Sequence, residues 1–393
     1  MSSAMKAHGL DGTLVEPDWP PLTLDEVRGV LGEYQNLGEP TKLLSVSPRP
    51  FSAASVVATP SEHVFIKRHH RAVRDANGLN EEHRFIAYLR AHGAATPRVY
   101  AAASGATAIE LDEWTYEVHE TLDGADLYED ALSWTPFQSV AHARSAGQAL
   151  ARLHQASAGY DAPVRKHRPL VAGFTIFAGP DPGAELNDYI AARPALADYL
   201  ERRSCRDEAL ELLAPFHAEL LQLLHAVPPL WTHNDLHASN LLWSDSSADA
   251  RAVAVIDFGL ADRTSAVHDL AQAIERNIVE WLALVEEPLH PERVPVHFDH
   301  LNALLDGYES VRPFKCEEAA ALAPMTALCH AEFALSETDY FLSVLHSEEK
   351  ARMACEGYLV AHARWFRGAG SKLLDALRAW AAVHGQVHDA VRR

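Results

Sequence analysis

The chain has 393 residues, which is too long for one small domain and suits two lobes or two domains. Its formal net charge is −20, from 34 Lys and Arg against 54 Asp and Glu, so it lacks the basic surface that non-specific nucleic-acid binding requires. Charges interrupt every long hydrophobic run, which excludes a membrane-spanning helix. The polar N-terminus and four cysteines without a C-x-x-C pair predict a cytoplasmic protein with no disulfide framework.

The first third of the chain has the pattern of a small β-rich lobe. Residues 1–22 are polar and predict a flexible N-terminal arm. After this arm, β-branched and apolar runs bounded by turn residues predict strands, and one amphipathic segment followed by Gly93 predicts a helix. The strands are predicted at 43–46, 55–58, 64–67 and 114–119, and the helix at 80–92.

From residue 123 onwards the apolar residues recur mainly with a helical period. They mark helices near 140–153 and 210–224, and Pro228 ends the second of these. One hairpin, with strands at 241–243 and 252–256, interrupts the helical pattern. The order predicts an α+β protein with a small lobe over 23–122 and a large, mainly helical lobe over 123–393.

The strongest chemical signal is the segment from His233 to Asn240, which the flanking proline and strand place in a loop. Asp235 and Asn240 are five residues apart, as in the catalytic loops of phosphoryl-transfer enzymes. There the Asp accepts the proton of the acceptor hydroxyl or orients it, and the Asn side-chain oxygen binds a Mg²⁺ on the phosphates. The spacing therefore predicts Asp235 as catalytic base and Asn240 as metal ligand.

A second motif, Asp257-Phe258-Gly259, follows the apolar run from Val253 to Ile256. A carboxylate at the end of a strand is a suitable ligand for a divalent cation. One hairpin fills the 22 residues that separate Asp257 from Asp235 (257 − 235). We therefore predict that Asp257 and Asn240 bind the same metal ion.

Upstream, Lys67 ends a predicted strand and Glu82 lies on the following helix. In kinases a Lys in this position contacts the nucleotide phosphates, and a Glu on the next helix holds it by an ion pair. Either residue alone would more often be a solvated surface charge. Their order relative to the two downstream motifs predicts that they form this pair.

The order Lys67, Glu82, His233-x-Asp235-x-x-x-x-Asn240 and Asp257-Phe258-Gly259, followed by His268-Asp269, resembles the aminoglycoside phosphotransferase and choline kinase-like superfamily. The resemblance covers roughly residues 40–275. It implies a two-lobed protein-kinase-like fold that binds ATP (or GTP) and Mg²⁺, with Asp269 supporting the catalytic loop.

The segment 45–55 departs from a glycine-rich nucleotide loop, because it is rich in Ser and Pro instead. We therefore expect Ser52 and Ser55 to contact phosphate. Asn234 is a second departure, since many aminoglycoside kinases have Gly there.

The acceptor is less defined. The resemblance implies a small-molecule hydroxyl, of which amine-bearing acceptors such as aminoglycosides, amino alcohols and homoserine-like compounds are the leading class, in a monomer or homodimer. Four acidic residues of the C-terminal helices could line the acceptor pocket, although a solvated helix face explains most such residues: Glu280, Glu332, Glu337 and Asp339.

Three other functions remain open. A protein Ser/Thr kinase is disfavoured because the segment 263–269 is too short to position a peptide. A metal-dependent hydrolase with His237 as a ligand would leave Lys67 and Glu82 unexplained. A non-catalytic kinase-like binding protein is disfavoured because Lys67, Asp235, Asn240 and Asp257 are all present.

Overall fold

A computed structural model describes residues 7–8, 14–47, 49–166 and 169–391. The chain divides into two compact units. The first contains Met1–Gly124 with Ala254–Ile256, and the second contains Ala125–Val253 with Asp257–Arg393.

The first unit is built on a five-stranded antiparallel sheet with the strand order β3-β4-β5-β7-β6. Its core consists of alternating inward residues such as Val57, Val64, Ile66 and Val118, which are fully buried. In chain order the elements of this unit are β1 (Ala7–His8), β2 (Leu14–Val15), α1 (Leu24–Leu31), β3 (Lys42–Leu43), β4 (Ala53–Ala58), β5 (His63–His70), α2 (Ala76–Ala91), β6 (Ala108–Leu111) and β7 (Trp114–Glu120).

The region of the predicted N-terminal arm is only partly described, because residues 1–6 and 9–13 lie outside the described residues. Its last part is packed on the sheet: the Trp19 ring stacks on His70 at 4.7 Å, and its indole N–H donates to the carbonyl of Phe51 at 3.1 Å. Helix α1 follows, started by a capping box between Thr23 and Glu26. Aromatic stacking of Trp19 and the buried Leu22 hold this last part, while the flexibility of the arm stays a prediction.

The second unit is mainly helical, as the apolar periodicity predicts. Strand β8 pairs with β11, and β9 pairs with β10. Its elements are α3 (Val140–Ser157), α4 (Pro182–Ala191), α5 (Pro194–Glu201), α6 (Cys205–Leu221), β8 (Pro229–Thr232), β9 (Leu241–Trp243), β10 (Ala252–Val255), β11 (Asp262–Ser265), α7 (Ala266–Ile278), α8 (Trp281–Glu286), α9 (Phe298–Glu309), α10 (Cys316–Leu328), α11 (Ala331–Ser343), α12 (Glu348–Arg352), a π-helical segment (Met353–Val360), α13 (Ala361–Arg367) and α14 (Ser371–Val391).

Helices α3 and α9 touch backbone to backbone at two glycines. A Cβ on Gly147 would lie 2.1 Å from the carbonyl oxygen of Leu304, and one on Gly307 would lie 2.0 Å from that of Arg144. Only glycine permits this approach, because real Cβ atoms do not come so close to other heavy atoms. Helix α7 is buried along its whole length, with all thirteen of its residues buried.

The structure corrects the prediction about cysteines in one respect. Cys205 at the start of α6 and Cys355 in the π-helical segment form a disulfide that spans 150 residues of sequence. Their separation left no local spacing pattern from which to predict the bond. Among the described residues, no helix has the length and apolar character needed to span a membrane.

Candidate active site

The loop from His233 to Asn240 is held by a buried carboxylate on α7. Asp269 accepts the backbone N–H of His233 at 2.9 Å and that of Asn234 at 2.7 Å. Burial alone would raise the pKa of Asp269, but hydrogen bonding and charge from His154 keep it below its ordinary value, so the side chain remains an acceptor. His154 is itself fixed, with Nε2 at 2.9 Å from Asp269 and Nδ1 at 2.7 Å from the Tyr308 hydroxyl. These contacts confirm that Asp269 supports the loop.

Asn234 adopts the left-handed backbone conformation, with φ at 60°. Glycine and asparagine tolerate this region best, which explains why either residue suits the position. The side chain adds bonds that glycine cannot make: its Oδ1 accepts from the hydroxyls of Thr232 and Thr264, both at 2.9 Å. Asn234 thus fastens the start of the loop to the β8–β11 pair.

Asn277 fastens the middle of the loop. Its Nδ2 donates to the carbonyl of Leu236 at 2.8 Å, and its Oδ1 accepts the N–H of Ala238 at 3.0 Å. Helix α7 therefore grips the loop through two residues eight positions apart, Asp269 and Asn277.

Asp235 lies in the loop between the residues bonded to Asp269 and those bonded to Asn277, and it pairs with Arg276. Nη1 of Arg276 is 2.7 Å from Oδ1 of Asp235, an ion pair that lacks the alignment of a hydrogen bond, and the side chains are only 6% and 15% exposed. Burial raises the pKa of Asp235, the charge of Arg276 opposes the shift, and the charge of Asp257 adds to it. A carboxylate tuned in this way is suited to take a proton from a hydroxyl group.

Asn240 and Asp257 present the oxygen donors predicted for a metal. Nδ2 of Asn240 donates to the backbone carbonyl of Asp235 at 2.8 Å and to its carboxylate at 3.2 Å, bonds that do not use the amide oxygen. Asp257 is exposed and has φ at 59°, and the Gly259 N–H donates to its Oδ1 at 3.3 Å. One amide oxygen and one carboxylate form a donor set that fits Mg²⁺, which keeps several waters when protein-bound.

Lys67 and Glu82 both belong to the first unit. Lys67 is half-buried on β5, directly opposite Glu117 of β7. Glu82 is buried on α2 and has a partner that the sequence did not indicate, since Nε of Arg74 lies 3.7 Å from its Oε2. Both charges act on the pKa of the neighbouring His69, so they share one neighbourhood, while their direct ion pair stays a prediction.

Ser52 lies just before β4 and Ser55 lies within it, and both are buried. The Ser55 hydroxyl donates to the carbonyl of Ser45, in the segment after β3. A phosphate contact through this hydroxyl would require that bond to break, and the contact stays a prediction. Ser52, in the bend before the strand, stays a predicted phosphate contact.

The acidic residues considered for an acceptor pocket are mostly engaged elsewhere. Glu332 accepts the N–H of Ile176 at 2.6 Å and that of Thr175, and burial raises its pKa to about 7. Asp339 is 3.8 Å from Arg193, and Glu280 is 2.7 Å from His297. These three carboxylates hold loops and helices together, and Glu337 is buried within α11.

The geometry does not favour a metal-dependent hydrolase. His233 Nδ1 accepts the N–H of Asp235, and His237 Nδ1 is 2.7 Å from the Ser239 hydroxyl. Among the described residues, His233, Asp235 and His237 do not form a group whose ligand atoms converge on one point.

Sequence reasoning missed Arg276 and Asn277. Arg276 lies seven residues after Asp269, two helical turns further along the same face of α7. That spacing is a signal from which Arg276 could have been found once Asp269 was placed under the loop.

The fold and the arrangement around Asp235 define a protein of the kinase-like class. Its similarity to a solved kinase structure extends over nine tenths of the chain. The chain belongs to the phosphotransferase enzyme family, whose model matches residues 51–314. A curated relative is the homoserine kinase of Rhodospirillum rubrum, 28% identical over 237 residues. That match covers 60% of this chain and 61% of the relative, so the chain spans less than two thirds of that enzyme's length.

Similar solved structures support the same fold. A microcompartment-associated aminopropanol kinase is 19% identical, with a TM-score of 0.57 over 91% of this chain and 99% of the other. An aminoglycoside phosphotransferase from Alicyclobacillus acidocaldarius is 15% identical, with a TM-score of 0.52 over 93% and 98%. The amicoumacin kinase hAmiN, solved with AMP-PNP, Ca²⁺ and amicoumacin, is 15% identical, with a TM-score of 0.53 over 87% and 91%. At these identities the structures establish the fold alone.

Proposed function

We propose that this protein transfers the γ-phosphoryl group of ATP, or of GTP, to a hydroxyl group of a small molecule. The observation that carries the proposal is the loop geometry. Asp235, whose side chain is 15% exposed, pairs with Arg276 and is bonded to Asn240, and the charge of Asp257 raises the pKa of Asp235. Phosphoryl transfer requires little covalent chemistry from a protein, so positioning and charge are the main contributions that the residues must make.

In this proposal Asp235 accepts the proton of the acceptor hydroxyl as the hydroxyl oxygen attacks the γ-phosphorus. The bond from the γ-phosphorus to the β–γ bridging oxygen breaks, and the nucleoside diphosphate leaves. Arg276 acts as a positioning residue, because it fixes the direction in which the carboxylate points. The amide oxygen of Asn240 and the carboxylate of Asp257 hold Mg²⁺, which neutralises negative charge on the phosphates when it is bound.

In the first unit, Lys67 is proposed to contact the α- and β-phosphates, with Glu82 orienting it and Ser52 adding a contact. The structures of relatives support a nucleotide donor, since hAmiN was solved with AMP-PNP and Ca²⁺. Lys67→Ala should weaken nucleotide binding because a phosphate contact is lost. Glu82→Gln should weaken it less, and should also destabilise the first unit because it removes the charge contact between Glu82 and Arg74.

We further propose that the acceptor carries an amino group. The names of the relatives refer to homoserine, aminopropanol and aminoglycosides, all of which contain one. The chain's net charge of −20 favours the approach of a cation.

Use of ATP would place the reaction in the cytoplasm, and the active unit is proposed to be a monomer or homodimer.

The test is a paired measurement on Asp235→Asn. The parent protein is first screened for ATP consumption against hydroxylated amines, amino acids and sugars. Asp235→Asn should then lower kcat by about 10²- to 10⁴-fold, the usual contribution of a general base, with nucleotide affinity little changed. Asp245→Asn, in the exposed turn between β9 and β10, is the matched control and should retain full turnover.

Two outcomes would overturn the proposal. If the parent protein hydrolyses phosphoesters without nucleotide, and Asp235→Asn abolishes metal binding, then the chain is a metal-dependent hydrolase. If it phosphorylates Ser or Thr of proteins and none of the small molecules, then the acceptor class is wrong.

A further inference from the structure

Three imidazoles converge on one carboxylate in the first unit. Glu117 and His119 lie on β7, His83 on α2 and His69 on β5. Oε2 of Glu117 is 2.9 Å from Nε2 of His83 and 2.7 Å from Nε2 of His119, and Oε1 is 2.9 Å from Nε2 of His69. The phosphoryl-transfer proposal uses none of these four residues.

The group is largely shielded from water. The side chains of His83, Glu117 and His119 are 3%, 7% and 12% exposed. The ligand atoms that these three residues offer all lie within 4.8 Å of one another, which is the spacing of side chains able to share one cation.

A hydrogen bond between Thr107 and Nδ1 of His83 indicates the protonation of Nδ1 and hence the role of Nε2, the nitrogen that faces Glu117. The Thr107 hydroxyl gives its proton to Oδ1 of Asn80 at 3.0 Å and lies 2.8 Å from Nδ1 of His83. Thr107 therefore accepts a proton from Nδ1 of His83. The Nε2 of the same ring then carries a second proton or directs its lone pair at a cation, since a bare lone pair facing Glu117 would be repelled. Metal-bound histidines characteristically donate their outer N–H in this way.

We propose that His83, Glu117 and His119 bind one zinc ion through two imidazole nitrogens and a carboxylate oxygen. Two nitrogens and one carboxylate form a common zinc set, with solvent as the fourth ligand. Zinc–ligand bonds of about 2.1 Å in a tetrahedron set neighbouring donors roughly 3.4 Å apart. The present distances of 2.9 and 2.7 Å therefore widen by about 0.5 and 0.7 Å when the ion enters. His69 remains on Oε1 of Glu117 and orients the carboxylate.

Zinc fits better than magnesium because imidazole nitrogen is a poor ligand for Mg²⁺ and a good one for Zn²⁺. The ion would join helix α2 to strand β7. His83 is the neighbour of Glu82 on α2, so the same bond fixes the turn of helix that carries Glu82. The site therefore stabilises the first unit.

The experiment uses the full chain without an affinity tag, stripped with chelator and titrated with Zn²⁺ by calorimetry in the presence of a competing chelator. The chain has 23 histidines, so weak surface binding must be separated from one tight site. The matched control is His297→Gln, because His297 and His300 stack at 5.1 Å in the second unit and form the obvious alternative pair.

We expect one tight site in the parent protein and in His297→Gln, and at least a 100-fold weaker site in His83→Gln. Saturation should raise the melting temperature of the parent by several degrees (about 3–8 °C), because zinc binds the folded state more tightly than the unfolded chain. The same zinc should leave the melting temperature of folded His83→Gln unchanged.

A measurement that needs no variant keeps the test sharp if His83→Gln does not fold. X-ray absorption of the zinc-loaded parent should show two imidazole ligands among four donors, and Co²⁺ should give the intense visible absorption of a tetrahedral site. Equal zinc affinity in the parent and in His83→Gln, loss of the tight site in His297→Gln, or a shell of six oxygens would each overturn the proposal.

Discussion

Removing the guanidinium of Arg276 tests whether a charge holds Asp235 in place. The Arg276 head lies 5.3 Å from the ring of Trp134 and 5.1 Å from that of Phe333. Arg276→Met keeps a long flexible side chain between these rings and deletes the charge, so the loss of packing is kept small.

The magnitude follows from the geometry. With Nη1 and Oδ1 at 2.7 Å, the two charge centres are about 4 Å apart, and at an effective permittivity of about 20 their attraction is roughly 4 kcal/mol. Loss of one partner of a buried pair usually costs about 3–5 kcal/mol, because the other charge stays desolvated. We expect Arg276→Met to lower the free energy of unfolding of the second unit by about 3 kcal/mol.

The assay is a double-mutant cycle by urea unfolding with the parent, Arg276→Met, Asp235→Asn and the double variant. The double variant should be more stable than Arg276→Met alone, because no unpaired charge remains, with a coupling energy of about 2–4 kcal/mol. Turnover is measured in parallel once an acceptor is known. Arg276→Met should lower kcat and leave the KM for nucleotide nearly unchanged, as expected of a residue that orients the base.

A coupling energy below about 0.5 kcal/mol would contradict the reasoning, since that value is typical of exposed ion pairs. Unchanged kcat in a folded Arg276→Met protein would contradict the positioning role even if the coupling were large.

The remaining predictions concern stability. Burial raises the pKa of Glu332 from 4.5 to about 7, so this group stabilises the fold below pH 4.5 and the stabilisation is lost as pH rises through 7, a change of about 3 kcal/mol between those limits. Glu332→Gln keeps the acceptor oxygen and should abolish that part of the pH dependence in urea unfolding at pH 5 and pH 8; an unaltered dependence would refute it. Gly147→Ala should destabilise the second unit by about 1–3 kcal/mol, because its Cβ would collide with the backbone of α9. The control Gly357→Ala, whose Cβ would meet no atom within 4 Å, should not destabilise it. Equal effects of the two substitutions would refute the close helix contact. Reduction of the Cys205–Cys355 bond should lower stability by up to about 5 kcal/mol for a loop of 150 residues, and thiol titration of the unfolded protein should rise from two groups to four; four before reduction would show that the bond does not form.

The parts of the site that could be predicted from the sequence are those carried by neighbouring residues. Asp235 and Asn240 lie in one short loop, so their types and spacing are enough to indicate the chemistry. The same is true of the strand before Asp257. The α+β order could also be predicted, because apolar residues alternate in β7 and recur with a helical period in α3.

The parts that could not be predicted depend on contacts between distant segments. The partner of Asp235 lies 41 residues away on α7, and that of Cys205 lies 150 residues away. The position of Glu82 on the helix after Lys67 predicts its pairing with that residue, whereas its buried contact with Arg74 depends on how the segment before α2 turns. The Ser-rich segment also gave no indication that the Ser55 hydroxyl would donate to the backbone carbonyl of Ser45, ten residues away.

Helix α7 has consequences for how a protein of this kind can change its acceptor. It grips the loop at Asp269, Arg276 and Asn277, and none of its residues faces solvent. A substitution that shifted this helix would displace the base and both of its backbone anchors together, so selection for a new acceptor has little room to act there. Segments with exposed positions, such as α8 and the stretch leading to α9, can change in sequence without displacing Asp235.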